Sequence, residues 1–160
     1  AKKITISTSG IPKVIKQIAD ENLNCNIAVS LHSAIQKTRQ IIMPFSEKFP
    51  LDDLMESLKY WYSVTKKKIL YEYIIFDGIN DNIEHVKALV RVCKILPCKV
   101  NFIEYNPTGN ETFRQCKIEK LQLYQRQLTS EGIINTFRIS RGRDIKAACG
   151  QLVNSNKFAL

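Results

Sequence analysis

This sequence has few of the groups by which catalysts are usually recognised. Its 160 residues include only two histidines, His32 and His85, and a single tryptophan. There is no Walker loop, no GxGxxG fingerprint and no HExxH helix, which removes the common nucleotide-phosphate, dinucleotide and zinc-protease arrangements. No GxSxG elbow supports a serine hydrolase. Of the five cysteines, the closest pair is Cys93 and Cys98, whose spacing does not match a CxxC metal pair. An odd number of cysteines without a disulfide-framework pattern points to a reducing cytoplasm. No apolar run is long enough to span a membrane. The opening Ala1-Lys2-Lys3-Ile4-Thr5-Ile6 reads as a strand, because no apolar h-region or cleavage site follows.

What is abundant is positive charge. Lys and Arg total 24 against 15 Asp and Glu, a formal charge of +9. Such an excess favours a polyanionic partner, most commonly nucleic acid, with a solubility margin as the bland alternative. Only Lys66-Lys67-Lys68 and Arg138/Arg141/Arg143 form local concentrations, and the lysine run reads as a solvated loop. The length suits one domain with a real core.

The hydrophobic pattern predicts alternating strands and helices. Ile4–Gly10 reads as a strand and Pro12–Asp20 as a helix with Val14, Ile15, Ile18 and Ala19 on one face. Asn26–His32 is nearly all apolar until its end, as in a strand buried on both faces of a parallel sheet. Residues 33–50 are loop-like, with a short helix near 38–42. Leu51–Val64 is amphipathic, with Asp52 and Asp53 in the first turn where the helix dipole favours them. Ile69–Phe76 is a strand stopped by Asp77-Gly78. Asn82 caps a helix to about Leu96 that turns Cys93 inward. Lys99–Tyr105 is a strand, Lys117–Ser130 a helix terminated by Gly132, and Ile134–Ile139 a fifth strand. Five βα repeats imply a parallel sheet with right-handed crossovers. They fit either a small open sheet or the second half of a βα barrel.

In such sheets ligands bind beyond the carboxyl ends of the strands. Those ends carry Ser7-Thr8-Ser9-Gly10, Ser30-Leu31-His32, Asp77-Gly78, Tyr105-Asn106-Pro107 and Ser140-Arg141-Gly142. Together they would form a ring of donors and acceptors for a polar small molecule. Each singly has a structural reading, as a cap, a turn or a satisfied histidine. Cys149 sits among small residues after Arg141, Arg143 and Lys146, whose charge favours a thiolate, while Asp144 reads as the N-cap of a short helix. The competing reading of Cys149 is a small packed hydrophobe.

These segments also carry a resemblance. Ile6-Ser7-Thr8-Ser9-Gly10, Val29-Ser30-Leu31-His32, Met43-Pro44, Tyr71-Glu72-Tyr73, Gly78-Ile79-Asn80-Asp81 with Glu84-His85, Pro97–Asn101, Tyr105-Asn106-Pro107 and Ala147–Leu152 occur in this order. Over nearly the whole chain they resemble the C-terminal half of the radical S-adenosylmethionine enzymes that methylate C2 of adenine in 23S rRNA and, in some members, tRNA. The resemblance implies a single domain over 1–160, the second half of a partial (βα) barrel that binds S-adenosylmethionine at its strand ends. It assigns Ser7, Ser30, Leu31, His32 and Asn106 to that cofactor and makes Cys149 the methyl carrier. It further implies that one cofactor molecule methylates Cys149. A second, cleaved reductively, yields a 5′-deoxyadenosyl radical that activates the S-methyl group for addition to adenine. The family's [4Fe–4S] cluster is held by Cys-x3-Cys-x2-Cys, a triad this sequence does not contain. Those residues, the Gly-rich segment and the resolving cysteine would lie before Ala1, and the chain alone is expected to be inactive. An external electron donor and an RNA substrate are the implied partners. The relative that methylates C8 shares the AACGQL cysteine, and Arg141-Gly142-Arg143-Asp144 favours C2. A non-catalytic basic RNA-binding α/β domain is the rival from another class.

Overall fold

The computed structural model describes residues 4–107 and 112–138. They form strand β1 (Ile4–Thr8), helix α1 (Pro12–Asp20), β2 (Cys25–Ser30), α2 (Gln36–Ile42), a 3-10 turn (Pro44–Glu47), α3 (Leu51–Thr65), β3 (Ile69–Tyr73), α4 (Ile83–Cys93), β4 (Cys98–Ile103), α5 (Ile118–Ser130) and β5 (Asn135–Arg138). The strands make one sheet in the order β1-β2-β3-β4-β5, and every pair is parallel. The α/β class and parallel pairing read from the hydrophobic pattern are the observed ones.

The alternation of side chains along each strand sorts the sheet into two unlike faces. Ile27, Val29, Ile69, Tyr71, Tyr73, Val100 and Phe102 point to one face and join a single hydrophobic cluster with the helices. Helix α3 supplies Leu54, Met55, Leu58 and Trp61 from one stripe, all nearly or fully buried. Each fully buried large apolar side chain contributes about 1.5–3 kcal/mol, so this face holds the sheet together. Tyr73, Phe102 and Tyr124 meet in a triangle with ring centroids 5.7–6.0 Å apart. The opposite face carries Ser7, Asn26, Ser30, Glu72, Lys99, Asn101 and Thr136, all partly or fully exposed.

Several boundaries differ from the sequence reading. The strand expected over 69–76 ends at Tyr73. Beyond it the Ile74 N–H goes to the His32 ring and the Phe76 N–H to the Asn80 side chain, so the backbone leaves the ladder. The second strand stops at Ser30 and not at His32, whose φ is +53°. The fourth runs Cys98–Ile103, and α4 ends at Cys93, not near Leu96. The short helix begins earlier than expected, at Gln36. The Asn82 cap is as read: its Oδ1 accepts from the N–H groups of Glu84 and His85. Gly132, at φ +73°, ends the last helical segment.

Asn80 is a heavily committed polar side chain. It is fully buried; its Nδ2 donates to the carbonyls of His32 (2.7 Å) and Ile74 (2.9 Å), and its Oδ1 accepts from the Phe76 N–H. Its own carbonyl accepts from the Tyr124 hydroxyl. One side chain thus ties the ends of β2 and β3 to each other, while its backbone ties both to α5. Asn80→Ala leaves three buried backbone groups without their partner, and we expect it to cost about 3 kcal/mol in urea denaturation. A loss below about 1 kcal/mol would show that water or relaxation replaces the clamp.

Candidate functional site at the carboxyl ends of the strands

The site is built by the loops that leave β1, β2, β3 and β4. Thr8 folds its hydroxyl back to accept from the Gly10 N–H at 3.1 Å. Gly10 has φ +100°, and a Cβ there would lie 3.2 Å from both the Arg39 guanidinium and a Leu54 methyl. Glycine is therefore required at this position for its conformation and for room.

The space that Gly10 leaves is used by Arg39. This side chain, fully buried, donates from Nη2 to the carbonyls of Ser9 (2.9 Å) and Ser30 (3.5 Å), from Nε to Leu31 (3.3 Å) and from Nη1 to Phe49 (3.5 Å). Among the described residues no carboxylate lies within ion-pair distance of it. A guanidinium presents five donors in a fixed fork, and here the fork gathers carbonyls from three segments. Burial lowers its pKa from the ordinary value. Arginine nonetheless stays charged in proteins. A positive charge is thus fixed directly behind the ends of β1 and β2.

His32 is held from several sides. Its Nδ1 accepts the Ile74 N–H at 3.2 Å, its carbonyl accepts from Asn80, and its N–H donates to the Glu72 carbonyl. A backbone N–H is a permanent donor, so Nδ1 carries the lone pair and Nε2 carries the hydrogen. Burial, and then the Arg39 charge, push its pKa down to about 4. At neutral pH His32 is a neutral ring that presents an N–H donor.

The other residues assigned from the sequence fall as follows. Ser7 and Ser30 lie on adjacent strands and on the same open face of the sheet, with Ser7 opposite Ala28. Leu31 is fully buried in the core; its N–H donates to the Glu72 carbonyl and its carbonyl accepts from Arg39. What Leu31 offers a ligand is therefore backbone and not side chain. Asn106 is 4% exposed and follows the exit of β4. Beside it the Tyr105 N–H donates to Gln115 Oε1, and the Tyr105 ring meets Phe76 at 5.2 Å. β2 and β4 flank β3, so Ser30 and Asn101 stand about 10 Å apart by strand spacing, with Asn106 further along the chain past the end of β4. Cys149, Ser140 and Arg141–Asp144 lie outside the described residues.

Three residues that the sequence reading did not place in the site belong to it. Arg39 and Asn80 set its backbone. Glu72 stands in register with Ser30 on one side and Asn101 on the other. Burial raises the Glu72 pKa, and the Arg138 charge opposes that rise. Asn101 in turn accepts from the Thr136 hydroxyl at 3.0 Å. The result is a row, Ser30-Glu72-Asn101-Thr136, of hydrogen-bonding groups across the open face. The second histidine is architectural: His85 lies between Asn82 Oδ1 and Thr38 Oγ1 and joins α4 to the start of α2.

The described residues contain no group of three or more His, Cys, Asp or Glu able to hold a metal ion. No helix among them is long and apolar enough to cross a membrane.

Comparison with known proteins places this geometry. No family model matches the chain. A radical SAM methyltransferase from Sphaerobacter thermophilus superposes with a TM-score of 0.88 at 35% identity, over 92% of this chain and 43% of that one. The fold is thus that of the radical SAM methyltransferases. Proteins named "Probable dual-specificity RNA methyltransferase RlmN" from Christiangramia forsetii and Flavobacterium johnsoniae are 56% and 55% identical over 97% and 96% of the chain. Nearly the whole chain thus aligns with a segment of these relatives, and it spans 44% of the length of each.

The pKa of His32 yields a prediction with a definite sign. Its folded value, about 4, lies below the ordinary 6.5. The unfolded chain therefore binds the proton first, and the contribution of His32 to stability is complete above pH 6.5 and lost as pH falls toward 4. His32→Asn keeps a side chain tolerant of positive φ and removes the titration. The denaturation midpoint of the variant should fall less steeply than that of the parent sequence between pH 6.5 and 4. Parallel curves would show that His32 does not titrate there.

Proposed function

We propose that this chain is the C-terminal part of an RNA methyltransferase that adds a methyl group to C2 of an adenine in 23S rRNA, and in tRNA as well. In this reading residues 1–160 form a single domain that holds S-adenosylmethionine at the carboxyl ends of its strands. The observation that carries the reading is the strand-end constellation, in which Arg39 and Asn80 hold the carbonyls of Ser30 and His32 while Ser7 lies on β1 and Asn106 past the exit of β4, on a fold shared with a radical SAM methyltransferase.

The donor set suits that cofactor. The hydroxyls of Ser7 and Ser30 and the carboxylate of Glu72 match the ribose hydroxyls and the exocyclic amine of an adenosine, and the neutral His32 donor adds no second positive charge next to a sulfonium. Such a cofactor supplies a methyl group in one use and a carbon-centred radical in the other. The described residues do not fit a [4Fe–4S] cluster, whose ligands belong upstream of this chain in the parent protein, and no step is derived through it. Cys149 is the methyl acceptor, its thiolate favoured by Arg141, Arg143 and Lys146. The net charge of +9 suits a polyanionic substrate, and the target base must leave its stack to reach a strand-end site. The parent enzyme works in the cytoplasm with an external electron donor, and the chain by itself is inactive. Methylation at C8 through the same cysteine is the reading nearest to this one, and a basic RNA-binding domain with a packed Cys149 is the non-enzymatic one.

Nucleoside analysis of RNA treated with the cluster-loaded parent protein, cofactor and reductant tests this. We expect 2-methyladenosine, a methyl group on Cys149 by mass spectrometry, and loss of product in Cys149→Ala by more than about a hundredfold. Activity in the Cys149→Ala variant, or a Cys149 that is never methylated, would overturn the proposal. Recovery of 8-methyladenosine would assign the other carbon.

A further inference from the structure

We propose that Cys93 and Cys98 form a peroxide-reactive dithiol that closes to an intrachain disulfide, at the end of the sheet opposite the strand-end site. Cys93 is the last residue of α4 and Cys98 the first of β4. The turn between them is pinned by the Pro97 carbonyl, which accepts from the Ile69 N–H at 3.0 Å. This turn brings the two cysteines into contact: Cys98 Sγ lies 3.4 Å from the Cys93 carbonyl, to which its thiol donates. When Cys98 ionises, the direction reverses and the Cys93 thiol donates to the Cys98 thiolate.

The pair is asymmetric in the way such chemistry needs. The Cys93 hydrogen bond and the Lys68 charge lower the Cys98 pKa against the opposing effect of burial. The Cys98 hydrogen bond and burial raise that of Cys93. Cys98 is therefore the nucleophile and Cys93 the resolving thiol. Cys98 is only partly buried, and both cysteines line a cleft of about 390 Å³ that also touches Lys68, Lys94 and Glu131. A small oxidant reaches them through that cleft. Cys116 lacks these features: burial and the charges of Asp81 and Asp77 raise its pKa to about 11.

The step balances with hydrogen peroxide as the two-electron oxidant. The Cys98 thiolate attacks one peroxide oxygen, the O–O bond breaks, and the released hydroxide takes a proton to become water. Cys93 sulfur then attacks the sulfenic sulfur of Cys98. The S–S bond forms as the S–O bond breaks, and the Cys93 proton leaves with the departing hydroxide as a second water. The two thiols lose two electrons and the peroxide gains two. A dithiol reductant reverses the bond by exchange. None of these atoms belongs to the strand-end site, so this chemistry is independent of the role proposed for Cys149.

The sequence supplies its own assay. Trypsin cleaves after Arg91, Lys94 and Lys99, so peptides 92–94 and 95–99 remain joined only through a disulfide. The parent protein is exposed to stoichiometric peroxide, blocked with N-ethylmaleimide, digested without reduction and mapped by mass spectrometry. We expect the joined peptides to appear, to vanish on reduction, and to persist in Cys116→Ser. In Cys93→Ser we expect a sulfenic acid on Cys98 that dimedone traps. The bond should form faster in folded protein than in denaturant, because the folded turn holds Cys98 against Cys93 and lowers the Cys98 pKa. Alkylation of both cysteines after peroxide, a bond from either to another cysteine, or equal rates folded and unfolded would overturn the proposal.

Discussion

Parallel strands end by exposing carbonyls and N–H groups that no neighbouring strand satisfies, and this fold depends on how those groups are paired. Unpaired and buried, each costs about 1–3 kcal/mol. Two side chains take on most of that work. Arg39 collects carbonyls from the ends of β1 and β2, and Asn80 joins the ends of β2 and β3. The same contacts fix His32 at positive φ with a defined tautomer. A buried guanidinium answered by carbonyl dipoles and not by a carboxylate is an expensive device for closure alone, because desolvation of the charge is only partly offset. Its second effect is electrostatic: it adds to burial in lowering the His32 pKa and leaves positive potential beneath the strand ends.

The two faces of the sheet divide the labour. The helix-covered face supplies stability through the cluster around Trp61, Tyr73, Phe102 and Tyr124. The other face carries Ala28, Leu70 and Ile103 but also a row of polar groups centred on Glu72, where a close-packed core would instead place apolar residues. Polar side chains spread along the middle of a sheet weaken it unless another group answers them. Their concentration on one face is coherent with a cofactor-lined interior, and it links the half-barrel architecture to the proposed chemistry without appeal to any single residue.

The repeating pattern was legible because buried parallel strands and amphipathic helices differ strongly in period, as Asn26–Val29 and Leu51–Trp61 show. The strand-end residues Ser7, Ser30 and His32 were legible from topology, since ligands collect where parallel strands end. Arg39 was not. In a seven-residue helix its charge looked like surface, and only the cavity above Gly10, formed by residues about thirty positions away, buries it. Asn80 was quoted within a motif, yet its role as a clamp depends on Ile74 and Phe76 leaving the sheet, which local pattern does not reveal. Leu31 illustrates the reverse case: the tripeptide Ser30-Leu31-His32 reads as one unit, but alternation turns the leucine side chain into the core.

The most direct test of the account is hydrogen exchange on the full-length parent protein with and without S-adenosylmethionine. The account predicts increased protection at residues 30–32 and 72–76, which Arg39 and Asn80 hold at the strand ends, and at 105–106, which follow β4. Cofactor-dependent protection confined to other segments, with these three unchanged, would contradict it.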